Sequence, residues 1–136
     1  MIRNESRTIL VVNDVEATRD GIKEMLERDG YYIKTVRDEQ DAAVKGQLKQ
    51  IDLMLVSLER ETADVISVAR RIRVHAGLSE DTPVIIFCAG ELKDNESDVE
   101  RNIYLFCPDG FNQLRDFIKR LSKRFPSAAK LMRNAE

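Results

Sequence analysis

The stretch IDLMLVSLERE, Ile51 to Glu61, decides how this chain is to be read. Leu53 to Val56 is an unbroken apolar run bounded by Asp52 on one side and by Leu58-Glu59-Arg60-Glu61 on the other. A strand covered on both faces has no polar alternation, so the run predicts a buried strand of a parallel sheet. It ends on Ser57, a hydroxyl. In an open parallel sheet the carboxyl ends of the central strands are where ligands bind, so the residue at that place bears on function.

The segments on either side follow the same logic. Thr8 to Val12 (TILVV) is a second run of β-formers, closed by Asn13 and Asp14, which can cap a following helix. In that helix Ile22, Met25 and Leu26 recur at helical spacing, and Gly30 stands where a glycine stop belongs. Tyr32 to Val36 alternates as a strand near a sheet edge, and Asp38 and Asp41 open a helix carrying Ala42, Ala43, Val44 and Leu48. After Ser57, a helix from about Asp64 to Arg73 presents Val65, Val68, Ala69 and Ile72 on one side. Thr82 to Cys88 and Ile103 to Phe106 read as two more strands. The last helix, near Phe111 to Lys123, spaces Phe111, Leu114, Phe117, Ile118 and Leu121 for one apolar face. Five alternations of strand and helix imply a doubly wound α/β sheet with right-handed crossovers.

Two segments fit less well. Residues 91–102 (ELKDNESDVERN) should hold the fourth helix, yet offer little besides Leu92 and Val99 to bury, so a short or degenerate helix is expected. Residues 125–136 begin with a Pro126 break and read as a C-terminal tail after a single domain over 1–124. A chain of 136 residues buries enough surface for a real core. A net charge of −2 argues against a global attraction to nucleic acid or anionic membrane. No apolar run approaches the ~20 residues of a membrane span, and MIRNESR lacks the apolar stretch of a signal peptide. A cytoplasmic protein without a cofactor is expected.

The five alternating units, the Asn13-Asp14 pair after the first strand, and Ser57 ending the third resemble a CheY-like receiver domain of the response-regulator family. The resemblance runs from about Arg7 to Arg124 and includes Arg70-Arg71-Ile72-Arg73 at the close of the third helix and Cys107-Pro108 at the place of the family's Lys-Pro. It implies a five-stranded parallel sheet in the order 2-1-3-4-5. It also implies a pocket for phosphoryl transfer from a phosphohistidine to an aspartate. That aspartate falls on Ser57, the metal-binding acid pair on Asn13 and Asp14, the hydroxyl residue of strand four on Cys88, and the lysine of strand five on Cys107. Only Asp14 keeps its type.

Elementary chemistry points the same way. A serine hydroxyl without an adjacent base is a poor nucleophile. Cys107 supplies no positive charge for a transferring phosphoryl group. Asp14 alone offers a carboxylate, so Mg²⁺ should bind weakly at most. The single histidine, His75, lies beyond the third helix. The expectation is a pseudo-receiver with no catalytic residue, in which Ser57 is a polar plug hydrogen-bonded to Asp14 or backbone. Glu59 and Glu61 are solvated, or one of them folds back over the vacated site.

The partner expected is a protein, or a second copy of the chain. The surface implied by the resemblance is that of the fourth helix, fifth strand and fifth helix, with Tyr104, Arg115 and Lys119 as candidate contacts. Alternatives are a residual two-component phosphorelay receiver, and a redox module using Cys88 and Cys107, which end strands that the resemblance makes neighbours. A nucleotide-binding module is disfavoured because NDVEA after strand one has no glycine for backbone to approach phosphate. The basic residues Arg70, Arg71 and Arg73, and Lys119, Arg120, Lys123 and Arg124, alternate with apolar positions and read as solvated faces.

Overall fold

A computed structural model describes residues 7–45, 51–58, 61–79, 81–87, 96–100, 102–106 and 111–124. In chain order the elements are β1 (Thr8–Asn13), α1 (Glu16–Arg28), β2 (Tyr32–Val36), α2 (Glu39–Lys45), β3 (Leu53–Ser57), α3 (Thr62–His75), β4 (Val84–Phe87), β5 (Glu96–Glu100), β6 (Ile103–Phe106) and α4 (Phe111–Arg124). The sheet order is β2-β1-β3-β4-β6-β5. The five parallel strands therefore stand in the expected order 2-1-3-4-5, β6 being the fifth of them, and α4 is the expected fifth helix.

Alternation along each inner strand feeds two cores. Leu10, Val12, Met54, Val56, Val84, Ile86, Ile103 and Leu105 face one way and pack with Ala42 of α2 and with Val65, Val68, Ala69 and Ile72 of α3. Ile9, Val11, Leu53, Leu55, Ile85, Tyr104 and Phe106 face the other and pack with Ile22 and Leu26 of α1 and Leu114, Phe117, Ile118 and Leu121 of α4. Two buried faces explain the unbroken apolar runs, since each strand position has a core to enter. Each fully buried aliphatic side chain contributes roughly 1.5–3 kcal/mol.

Local chemistry sets the ends. Gly30, at φ +96°, closes α1: its N–H donates to the Glu27 carbonyl and that of Tyr31 to the Leu26 carbonyl. Asp38 Oδ1 accepts from the Asp41 N–H at 2.8 Å, and Asp41 Oδ2 accepts from the Arg37 N–H at 2.9 Å, fixing the start of α2. The Arg115 guanidinium grips Asp29 with Nε to Oδ2 at 2.7 Å and Nη2 to Oδ1 at 2.6 Å. This two-pronged pair joins α4 to the end of α1, and the bond to Asp29 raises the Arg115 pKa.

The region expected to hold the fourth helix differs. Residues 96–100 form β5, antiparallel to β6, with Glu96 opposite Phe106, Asp98 opposite Tyr104 and Glu100 opposite Ile103. The register shifts between Asp98 and Glu100, as at a bulge. Glu-Ser-Asp-Val-Glu has no helical apolar stripe to bury, whereas an edge strand needs only backbone partners on one side, and charge at an edge opposes strand-to-strand aggregation. Asn102, at φ +60°, supplies the left-handed residue that turns β5 into β6. The Arg73 guanidinium on α3 donates to the Thr82 carbonyl at 2.8 Å and the Asn102 carbonyl at 3.4 Å, tying this turn to the entry of β4. The tail, 125–136, lies outside the described residues.

Pairing on both sides makes β6 an inner strand. Its backbone amides should exchange with solvent about as slowly as those of β4 and more slowly than those of the β2 edge. Exchange of 103–106 at the rate of β2, followed by NMR, would show that β5 is not paired in solution.

Candidate functional site

The carboxyl ends of β1 and β3 meet at Asn13 and Ser57, which are register partners. Asn13 is only 3% exposed and uses both ends of its amide. Its Nδ2 donates to the Ser57 carbonyl at 3.0 Å, and its Oδ1 accepts from the Val15 N–H at 2.8 Å. The second bond is an Asx turn, in which a side chain closes the loop in place of backbone. Arg19 of α1 donates from Nη1 to the Asn13 carbonyl at 2.9 Å. Among the described residues the strand end is thus held by two bonds from a neutral amide and one from a guanidinium. Sequence reasoning placed Asn13 here but missed this role.

Asp14, by contrast, is exposed. It does not cap α1, whose N-cap is Val15, with no side-chain hydrogen bond. Ser57 is half-buried, and its recorded hydrogen bond uses the carbonyl. Among the described residues the contact at this strand end is the Asn13 amide on the Ser57 carbonyl, in place of the expected bond from the Ser57 hydroxyl to Asp14. An amide offers both a donor and an acceptor, and here it uses one for each of two backbone groups. Glu61 is exposed at the N-cap of α3. Cys88, Cys107 and Glu59 lie outside the described residues.

Of the candidate partner contacts, two are engaged internally. Tyr104 is 8% exposed and packs edge-on against Phe117, ring centroids 5.9 Å apart at 89°. It belongs to the α1/α4 core and is not a surface anchor, because β5 and β4 flank its strand and Phe117 covers its ring. Arg115 is committed to Asp29, whose side chain is 9% exposed. Lys119 is exposed. His75 lines an open cavity of about 430 Å³ with Asp38, Glu39, Gln40 and Ala43, apart from the strand ends.

No protein-family model and no curated protein matches the sequence. Solved structures do. A signal receiver domain of a signal-transduction histidine kinase from Syntrophus aciditrophicus matches with a TM-score of 0.64 at 22% identity, over 86% of this chain and 90% of that one. The response regulator TrrA of Thermotoga maritima, solved in complex with the histidine kinase ThkA, matches with a TM-score of 0.63 at 26% identity, over 85% and 97%. The chain has the fold of a CheY-like receiver domain. The receiver domain of a Pseudomonas aeruginosa sensor histidine kinase matches with a TM-score of 0.63 at 22% identity, over 87% and 98%. That protein was solved with a magnesium ion coordinated in its active-site cleft.

The residues of this receiver fold do not suit such an ion. Mg²⁺ favours carboxylate and water oxygens in octahedral array. Among the described residues the carboxylate at these strand ends is the exposed Asp14, and the Asn13 Oδ1 and the Ser57 carbonyl each already accept one N–H bond. Among the described residues no group of three or more His, Cys, Asp or Glu is placed to hold a metal.

The Asn13 amide can be tested directly. Asn13→Asp replaces the Nδ2 donor by an oxygen facing the Ser57 carbonyl, leaving buried acceptors opposed. A loss of about 1–3 kcal/mol in denaturant unfolding is expected at neutral pH. Unchanged stability would mean that the amide does not seal the strand end.

Proposed function

We propose that the chain is a receiver-like signalling module that binds a partner protein without being switched by aspartyl phosphate, and that it is not an enzyme. The observation that carries the reading is the Asn13–Ser57 contact: a neutral amide bonded at both its nitrogen and its oxygen, and a serine backbone, stand where the chemistry would need two carboxylates. Carboxylates ~4 Å apart repel by about 4 kcal/mol at an effective dielectric of 20, so the ordinary pocket relies on a metal and a cation to hold its acids. A pocket closed by a neutral amide relies on neither.

A protein partner is the kind of ligand the fold favours, TrrA being solved with a histidine kinase. The face formed by β5, β6 and α4 is the proposed contact region, with Lys119 as its exposed cation and with Tyr104 and Arg115 acting beneath it as supports. The remodelled β5 edge argues for a partner other than those that grip a fourth helix. Among the described residues no helix is long and apolar enough to cross a membrane. We place the module in the cytoplasm, with neither nucleic acid nor lipid as its target.

Intact mass after incubation with acetyl phosphate and Mg²⁺ tests the phosphate-independent reading. An unmodified mass is expected, with and without reductant. A gain of one phosphoryl group would overturn it in favour of a residual phosphorelay receiver, and a loss of two hydrogens reversed by reductant would favour a Cys88–Cys107 switch.

A further inference from the structure

The outer face of α1 is built at a cost to α1 itself. Its exposed side chains include Glu16, Asp20, Glu24 and Glu27, opposed on that face by Arg28, while Arg19 and Lys23 are half-buried. Glu16, Asp20 and Glu24 follow one another at i, i+4 spacing, so like charges are neighbours and destabilise the isolated helix. Gly21 lies between them, exposed in mid-helix, where glycine costs roughly 0.5–1 kcal/mol relative to alanine. Nothing inside the chain requires it: a Cβ built there would meet no atom within 4 Å. With exposed Ala17 one turn before it, Gly21 leaves a shallow, low-relief strip along the acidic row.

The exposed face of α4 has the opposite charge. Lys119, Arg120 and Lys123 stand against Asp116, again within neighbouring turns. Arg120 is already laid over the Phe117 ring, 5.2 Å from its centroid, which leaves the two lysines as the mobile cations of the row. Both helices rest on the same face of the sheet, in one core, and the Arg115–Asp29 pair fixes α4 to the end of α1. One side of the sheet thus carries both an acidic row and a basic row. A surface of that kind is complementary to itself. A two-fold axis between the helices sets α1 of one protomer against α4 of its partner and repeats the contact on the other side.

We propose that the chain forms a homodimer through the α1/α4 face, with the acidic row of each protomer on the Lys119–Lys123 row of its partner and Gly21 as the point of close helix approach. The occupant is a second copy because this chain itself supplies both halves of the charge pattern. The proposal deepens the interaction-module reading by naming a partner, and it is independent of phosphorylation: a phosphoryl adduct would overturn the latter and leave the dimer standing.

Sedimentation velocity of the full chain over a range of concentrations tests it. A dimer is expected at about 0.1 M salt, weakened at least about tenfold near 1 M, where the Debye length falls from ≈ 10 Å to ≈ 3 Å. Lys119→Glu with Lys123→Glu should give a monomer, as should Asp20→Lys with Glu24→Lys. Combining all four swaps the charges across the axis and should restore association. Gly21→Leu separates stability from docking: the variant should melt at higher temperature than the parent yet remain monomeric. A parent chain that is monomeric at every concentration would overturn the proposal. So would a dimer that neither reversal weakens, or a four-fold variant that fails to reassociate.

Discussion

The register between β1 and β3 is the constraint on which the rest of the structure depends. Both strands are buried on both faces, so a one-residue slip would exchange one apolar core for another, and hydrophobicity alone discriminates weakly against it. Polar contacts at the two ends do discriminate. At the amino end the Thr8 N–H donates to Asp52 Oδ2 at 2.7 Å, and the Asp52 N–H donates to the Thr8 carbonyl at 2.8 Å. At the carboxyl end the Asn13 amide holds the Ser57 carbonyl. A slip would break these contacts, and for the buried Asn13 amide the loss of a partner costs about 1–3 kcal/mol, which is a large fraction of the stability of a small domain.

The same contact explains how a receiver fold tolerates its unusual strand ends. An acidic cluster at the end of two central strands is a destabilising feature that bound ions must offset. Replacing one carboxylate by an amide removes a charge and adds a donor at the place where a backbone carbonyl needs one. Arg19 then covers the Asn13 carbonyl from α1, so the loop after β1 is held by three bonds from within the chain.

What was legible in the sequence was whatever periodicity writes down. The apolar runs of β1, β3 and β4 and the single stripe of α4 follow from a sheet with a core on each side, and their order follows from the resemblance to receivers. The fourth helix was not legible as a strand, because a five-residue polar edge strand has no apolar pattern and exists through its hydrogen bonds to β6. Tyr104 read as a surface anchor because its covering ring, Phe117, and its flanking strand β5 are distant or unpatterned in sequence. Arg115 read as a free cation because its partner, Asp29, lies 86 residues away. Asn13 was placed correctly and given too small a role, since an amide looks like a weakened acid until its two bonds are seen.

These corrections bear on one another. A switch needs an element with two packings of similar energy, because close-packed cores change by jumps between discrete arrangements. Tyr104 is packed from several sides: its strand is paired on both sides, its ring meets Phe117 edge-on, and Phe117 in turn lies 4.6 Å from Phe106 and beneath Arg120. To swing outward its ring would have to vacate a core position. The end of β1 and the aromatic of β6 are thus each held by contacts within the chain, one by an amide and the other by its strand and ring neighbours.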